Sequence, residues 1–171
     1  MGVFYWFLSN NENQASVRMQ SIRLHRLMVA EGYHSEMIQK PDFFTTELLL
    51  NRSEQSYFVE EILQEGDVVA IHKLNSVKTT FFAELVKSRN AHLIYITCDY
   101  PINIHLTPYA DLVVVPSKKL LEIYQDSGYN NVQYLPDAPE RFINPKINDN
   151  NDQLRCVWFG TYDPKKWESY T

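Results

Sequence analysis

The chain opens on an unbroken apolar run, "VFYWFL" at residues 3–8. A continuous run of strand-forming residues predicts a strand buried on both faces, as in a parallel sheet. A polar loop, "SNNENQA", follows it. Ser16 can then cap a helix that runs to about Glu31, where Gly32 can end it. Val17, Leu24, Leu27 and Met28 share one face of that helix, which would pack on the sheet. "HSEMIQK" reads as a short second strand, and residues 41–55 as either loop or short helix. "SYFVEEILQ", residues 56–64, is a helix that stops before Gly66.

From Asp67 the rhythm is regular. "DVVAIH" (67–72) is a strand, "VKTTFFAELVKSR" (77–89) a helix and "AHLIYIT" (91–97) a strand. "DLVVV" (111–115) is a strand, "SKKLLEIYQDS" (117–127) a helix and "VQYL" (132–135) a last short strand. Strand and helix in alternation predict an α/β fold with a parallel sheet and helices on both faces. Right-handed crossovers leave few topologies. The expected strand order is 3-2-1-4-5-6, a Rossmann-like arrangement. Residues 136–152, "PDAPERFINPKINDNND", are dominated by Pro, Asp and Asn and read as an interdomain linker. "LRCVWFG" then returns to a buried-strand pattern. The expected organisation is therefore a Rossmann-like domain over 1–135, a linker over 136–152 and, over 153–171, the first strand and loop of a second α/β domain.

Composition narrows the function. The net charge is -5 and no dense Lys/Arg tract occurs, which argues against a nucleic-acid partner. Cys98 and Cys156 lie in apolar runs without metal-ligand spacing and read as reduced core thiols of a cytoplasmic protein. The five histidines show no ligand spacing either, so no metal is expected. "NRS" at Asn51 is a glycosylation sequon in form only, since no secretory signal precedes it. No apolar run reaches the roughly 18 residues of a membrane span. Arg23 and Arg26 on the first helix leave peripheral membrane contact an open question.

In open α/β sheets, ligands bind beyond the carboxyl ends of the strands, where the strand order reverses. Polar residues at those ends are Ser9, Asn10 and Asn11 after the first strand, and Lys73 after the third. Asp99 follows the fourth and Ser117 the fifth. Arg18 falls in the first turn of the first helix, beside free N–H groups that suit an anion. Asn10, Arg18, Lys73, Asp99 and Ser117 are thus the candidate acceptor- or anion-binding set. Three of them also have a plain reading: Arg18 in a surface ion pair, Lys73 as a solvated strand end, Asp99 as a turn former before Tyr100-Pro101. The chain carries no G-x-G-x-x-G, no P-loop and no G-x-S-x-G, which excludes the usual dinucleotide, nucleoside-triphosphate and hydrolase signatures.

The stretches "ASVRMQSIRLHRLMVAEGYHSEMI", "GDVVAIHKLNSVKTTFFAELVKSRNAHLIYITCDY" and above all "ADLVVVPSKKLLEIYQDSGYNNVQYLPDAPE" resemble the N-terminal domain of GT-B glycosyltransferases of the group-1 type. The resemblance implies a two-domain enzyme that moves a sugar from a nucleotide-sugar donor to a glycan, lipid-linked or other acceptor. The acceptor would be held mainly by the first domain and the donor by the second. It also implies a donor-phosphate loop in "GTYDPKK", with Gly160, Lys165 and Lys166, and no cofactor beyond the donor itself. Residues 1–171 alone would be the acceptor-side half and inactive. The first loop departs from the family, with "SNNENQ" where a glycine pair is common, and so does the turn "PDAPE" after the sixth strand. The alternative is a non-catalytic Rossmann-like binding module.

Overall fold

The computed structural model describes residues 2–99 and 102–137. Six strands run through them: β1 Phe4–Leu8, β2 Ser35–Gln39, β3 Val68–His72, β4 His92–Ile96, β5 Leu112–Val115 and β6 Val132–Tyr134. All pair in parallel, in the order β2-β1-β3-β4-β5-β6. The α/β class and the parallel sheet are those the alternation predicts. The strand order departs from 3-2-1-4-5-6: β3 lies beside β1 instead of outside β2. Composition explains the difference. β2, "SEMIQ", exposes Glu36 and suits an edge, whereas β3, "VVAIH", buries every residue after Val68 and needs a neighbour on each side.

Four helices cover the sheet. Ala15–Val17, a π turn at Arg18–Ile22 and Arg23–Ala30 run on without a break and together form α1. Arg52–Tyr57 continues through a second π turn, Phe58–Ile62, as α2. α3 is Val77–Ser88 and α4 is Lys118–Asp126. A short 3-10 turn, Thr107–Tyr109, leads into β5.

The two π turns have a shared cause. At each, two buried apolar residues lie five apart, Val17 and Ile22 in α1, and Phe58 of α2 with Leu63, the extended residue that follows it. An α-helix would turn the second away from the sheet, and the wider turn keeps both inward. The bonds Arg23 N–H to Arg18 O and Leu63 N–H to Phe58 O close them.

Local signals correct several boundaries. The first helix starts at Ala15 with Gln14 at its cap, so Ser16 lies inside it and is not the cap. α2 begins four residues before the expected start. Asn51 is its cap: the Asn51 side chain accepts from Glu54 N–H at 3.1 Å, and the Glu54 carboxylate accepts from Asn51 N–H at 2.7 Å. The sequence "NRSE" is thus a capping box, a role that explains Asn51 without a glycan. Ser76 and Ser117 cap α3 and α4 in the same way.

The sheet faces differ. One carries Tyr5, Phe7, Val69, Ile71, Leu93, Tyr95, Val113 and Val115, packed under α2, α3 and α4. Phe7, Phe58 and Phe82 form its centre, with ring centroids 5.0–5.8 Å apart. The other carries Trp6, Leu8, Ala70 and Ile96, packed against Val17 and Ile22 of α1. Leu24 and Met28 join that contact, but Leu27, expected on the same face, is 51% exposed. At the amino ends of the strands the buried Asp67 carboxylate accepts from Val3 N–H at 2.7 Å and Gln64 N–H at 2.9 Å.

The chain divides into Met1–Glu140 and Arg141–Thr171. All described residues fall in the first unit. Most of the expected linker, the second-domain strand and loop, and Cys156 lie outside the described residues. Among the described residues no helix is long and apolar enough to cross a membrane.

Two substitutions test this account of the core and the cap. Phe82→Ala should destabilise the chain by about 3–5 kcal/mol, through lost burial and a cavity among three aromatic rings. Asn51→Ala should cost about 0.5–2 kcal/mol. Urea unfolding followed by circular dichroism measures both; a Phe82→Ala cost no larger than that of Asn51→Ala would refute the placement of Phe82 at the core.

Candidate functional site

The chain leaves β1 toward β2 on one side and returns past β1 to place β3 on the other. The strand order therefore reverses between β1 and β3, and a crevice opens beyond their carboxyl ends. β1 delivers Ser9 there and β3 delivers His72 and Lys73.

His72 is fully buried. Its Nδ1 lies 3.3 Å from Ser9 Oγ and its Nε2 lies 3.1 Å from Gln20 Oε1. Since a carboxamide oxygen only accepts, Nε2 carries the proton and Nδ1 accepts from the Ser9 hydroxyl. The Gln20 amide nitrogen then donates to Asp137 Oδ1 at 2.8 Å. Burial, seconded by the Lys73 charge, pushes the imidazole down to about 3. His72 is a neutral strut that ties the ends of β1 and β3 to α1 and to the segment after β6.

Lys73 adopts φ +59°, the left-handed region that a non-glycine residue enters at a cost. Its N–H still bonds the Ile96 carbonyl at 3.0 Å, so the ladder to β4 continues past the strand while the side chain is redirected. Its side chain is only 8% exposed, and Nζ lies 3.0 Å from Asp99 Oδ2. Burial alone would lower the ammonium's pKa; the hydrogen bond and charge of Asp99, with Cys98 beside them, more than offset that, so the net direction is upward. Lys73 therefore stays cationic.

Cys98 is half-buried at this pair, with Sγ 3.7 Å from Asp99 Oδ1, instead of lying in the core as its apolar neighbours suggest. Burial pushes its thiol up, Asp99 adds to that and Lys73 opposes it.

A cleft of about 280 Å³ lies beside the pair, walled by Asn75, Tyr95, Thr97, Asn103 and His105. Thr97 Oγ1 accepts from Asp99 N–H at 3.4 Å, and Asn103 Oδ1 accepts from His105 and Leu106 N–H, each at 3.1 Å. These bonds hold both loops of the cleft. Its lining is mostly polar, with Ile102 and Ile104 as its aliphatic members, and among the described residues Lys73 and Asp99 are the only ammonium and carboxylate along it.

Of the residues singled out from sequence, the structure joins Lys73 and Asp99 directly. The other three make bonds close by in the chain. Asn10 Oδ1 accepts from Asn11 N–H at 2.7 Å. Arg18 Nη1 donates to the Glu12 carbonyl at 2.6 Å, among its contacts. Ser117 Oγ accepts from Leu120 N–H at 3.1 Å. None of these three lines the cleft. Gly160, Lys165 and Lys166 lie outside the described residues. No group of three or more His, Cys, Asp or Glu placed to hold a metal occurs among the described residues.

Sequence reasoning missed Gln20, Thr97 and Asn103 as contributors. Thr97 had a signal, since it sits two residues before Asp99 at the same strand end. Gln20 had none, because its partner is 52 residues away.

A second concavity, about 270 Å³, opens on the α1 face of the sheet. Phe4, Trp6, Ile94, Ile96 and Val114 floor it, and Leu27 and Leu135 stand at its edge. It is an apolar groove with Gln20, Arg23 and Asp137 among its few polar residues.

No protein-family model matches the sequence, and no curated protein matches it either. The fold is Rossmann-like, and its assignment rests on the strands and crossovers described above.

The neutral His72 gives a pH signature. Its folded pKa, about 3, lies below the ordinary 6.5, so the unfolded chain takes up the proton first as pH falls. The stability that His72 contributes is complete above about pH 6.5 and declines by about 1.4 kcal/mol per pH unit down to about pH 3. His72→Gln removes that titration. Urea unfolding across this window should show a shallower acid slope for the variant; parallel profiles would contradict the neutral strut.

Proposed function

We propose that this domain is the acceptor-side part of a glycosyltransferase of the GT-B group-1 type, acting with a nucleotide-sugar donor and a glycan or lipid-linked acceptor. The observation that carries the reading is the Lys73–Asp99 pair. It presents hydrogen-bond donors and acceptors together, at the ends of adjacent strands, beside the reversal of strand order. This is where an open α/β sheet holds its ligand. A sugar ring needs both kinds of partner at close quarters, and Asn75, Thr97 and Asn103 add neutral ones.

The chemistry asked of this half is positioning. Holding an acceptor hydroxyl in line with a donor carbon lowers the barrier through orientation alone. The rigid ends of β3 and β4 suit that task. The donor would meet its partners elsewhere; Gly160, Lys165 and Lys166 are the residues assigned to it from sequence. The rival reading, a binding module without transfer, shares the cleft and differs only in turnover.

Amide-shift mapping by NMR on the 171-residue chain tests the reading, with a panel of neutral and charged mono- and oligosaccharides. Binding should perturb residues 73–75, 97–99 and 102–105. Failure of every carbohydrate in the panel to shift those amides overturns it.

A further inference from the structure

The polar cleft carries no net charge from its ion pair, and this decides which carbohydrates it accepts. Lys73 alone would offer an anion site, as its position in the sequence suggests. In the structure its ammonium is already met by Asp99 Oδ2 at 3.0 Å, and a phosphate or carboxylate in the cleft would face the Asp99 charge as well. An anion reaching Lys73 would either displace Asp99 or sit against its carboxylate, the only one along the cleft among the described residues. The lysine side chain is 92% withdrawn from solvent, so removing its counter-charge is penalised, although Asp99 itself is 62% exposed.

The same pair is well furnished for a neutral ligand. The ammonium has three donors; Asp99 engages one and the Cys98 sulfur another, which leaves one for a ligand. Among the described residues Asp99 Oδ1 accepts only a weak S–H contact from Cys98, and the Asp99 side chain is 62% exposed. One group with a donor to spare and one with acceptors to spare, 3.0 Å apart, match two adjacent hydroxyls, each of which donates once and accepts.

We propose that Lys73 and Asp99 form a diol clamp that selects a neutral, vicinally hydroxylated sugar ring and rejects sugars bearing phosphate or carboxylate at that ring. This rests on the carbohydrate reading given above and adds its specificity. Asp99 is the discriminating residue, because it cancels the lysine charge. Asp99→Asn keeps the size of the side chain and leaves the cleft with an uncompensated cation. It should therefore turn the preference toward anions.

The experiment titrates the 171-residue chain with a methyl hexoside and with its 6-phosphate and uronate counterparts, following the same amides. It is run near pH 8, where an ordinary imidazole is neutral. Wild type should bind the methyl hexoside with an affinity insensitive to salt, and the two anions at least about tenfold more weakly. Asp99→Asn should weaken the neutral ligand about tenfold, as expected for one charge-assisted hydrogen bond, and gain 6-phosphate binding that fades as salt rises. Lys73→Met should lose the neutral ligand; because that side chain is buried, the exposed Asp99 variant keeps the test decisive if it fails to fold. Wild-type binding of the anions as tight as that of the neutral sugar overturns the clamp but leaves the carbohydrate reading standing. So does neutral-sugar binding that Asp99→Asn does not change. No binding of any of the three at these amides overturns the clamp, and the wider panel then decides the carbohydrate reading.

Discussion

A strand paired on both sides has to hide every side chain it carries, yet β3 ends in a histidine followed by a lysine. The structure meets that constraint twice, in two ways. His72 points to the α1 face, sheds its charge and fills both ring nitrogens with partners from β1 and α1. Lys73 keeps its charge, turns through a left-handed conformation and reaches the carboxylate at the end of β4. The crevice, the polar cleft and the tie to the segment after β6 all follow from these two solutions at consecutive positions. An apolar residue at either would close the sheet edge into plain core.

The sequence made the fold class legible because its strands are short apolar runs punctuated by Gly and by capping residues. Strand order was less legible. The clue lay in the contrast between "SEMIQ", with charge and amide on an edge, and "VVAIH", which tolerates solvent on neither side. Helix phasing misled in a specific way. Buried pairs five apart, Val17 with Ile22 and Phe58 with Leu63, belong to neither the α period nor the strand period, and past the first of them the α period puts Leu27 on the wrong face. Asn51 illustrates a different failure: three of its four capping-box residues also spell a sequon, and the shorter motif drew attention first.

Within the site, legibility followed topology. Lys73 and Asp99 could be named because each ends a strand, and parallel strands bring their carboxyl ends together. Their bond, and the cancellation of charge it brings, could not be read from two positions 26 residues apart. Ser117 and Asn10 satisfied the same positional rule and are occupied locally, one by a helix end and the other by its own turn. A strand-end position is thus a necessary condition for membership of the crevice. What decides the outcome is whether the nearest unmet backbone N–H claims the side chain first.

The π turn in α1 has a bearing on how this site could change over time. A wide turn holds one residue more than an α turn, so it behaves as an insertion absorbed within a helix. Gln20 sits inside that turn, with Val17 anchored before it and Leu24 and Met28 seated on the sheet after it. Deleting a single residue there would restore ordinary pitch and leave Val17 and Ile22 four apart, still on one face of the helix. The apolar seats would then survive, whereas the wide turn that carries Gln20 to His72 would not. The turn thus couples the length of the helix to the hydrogen-bond partner of a histidine on another strand.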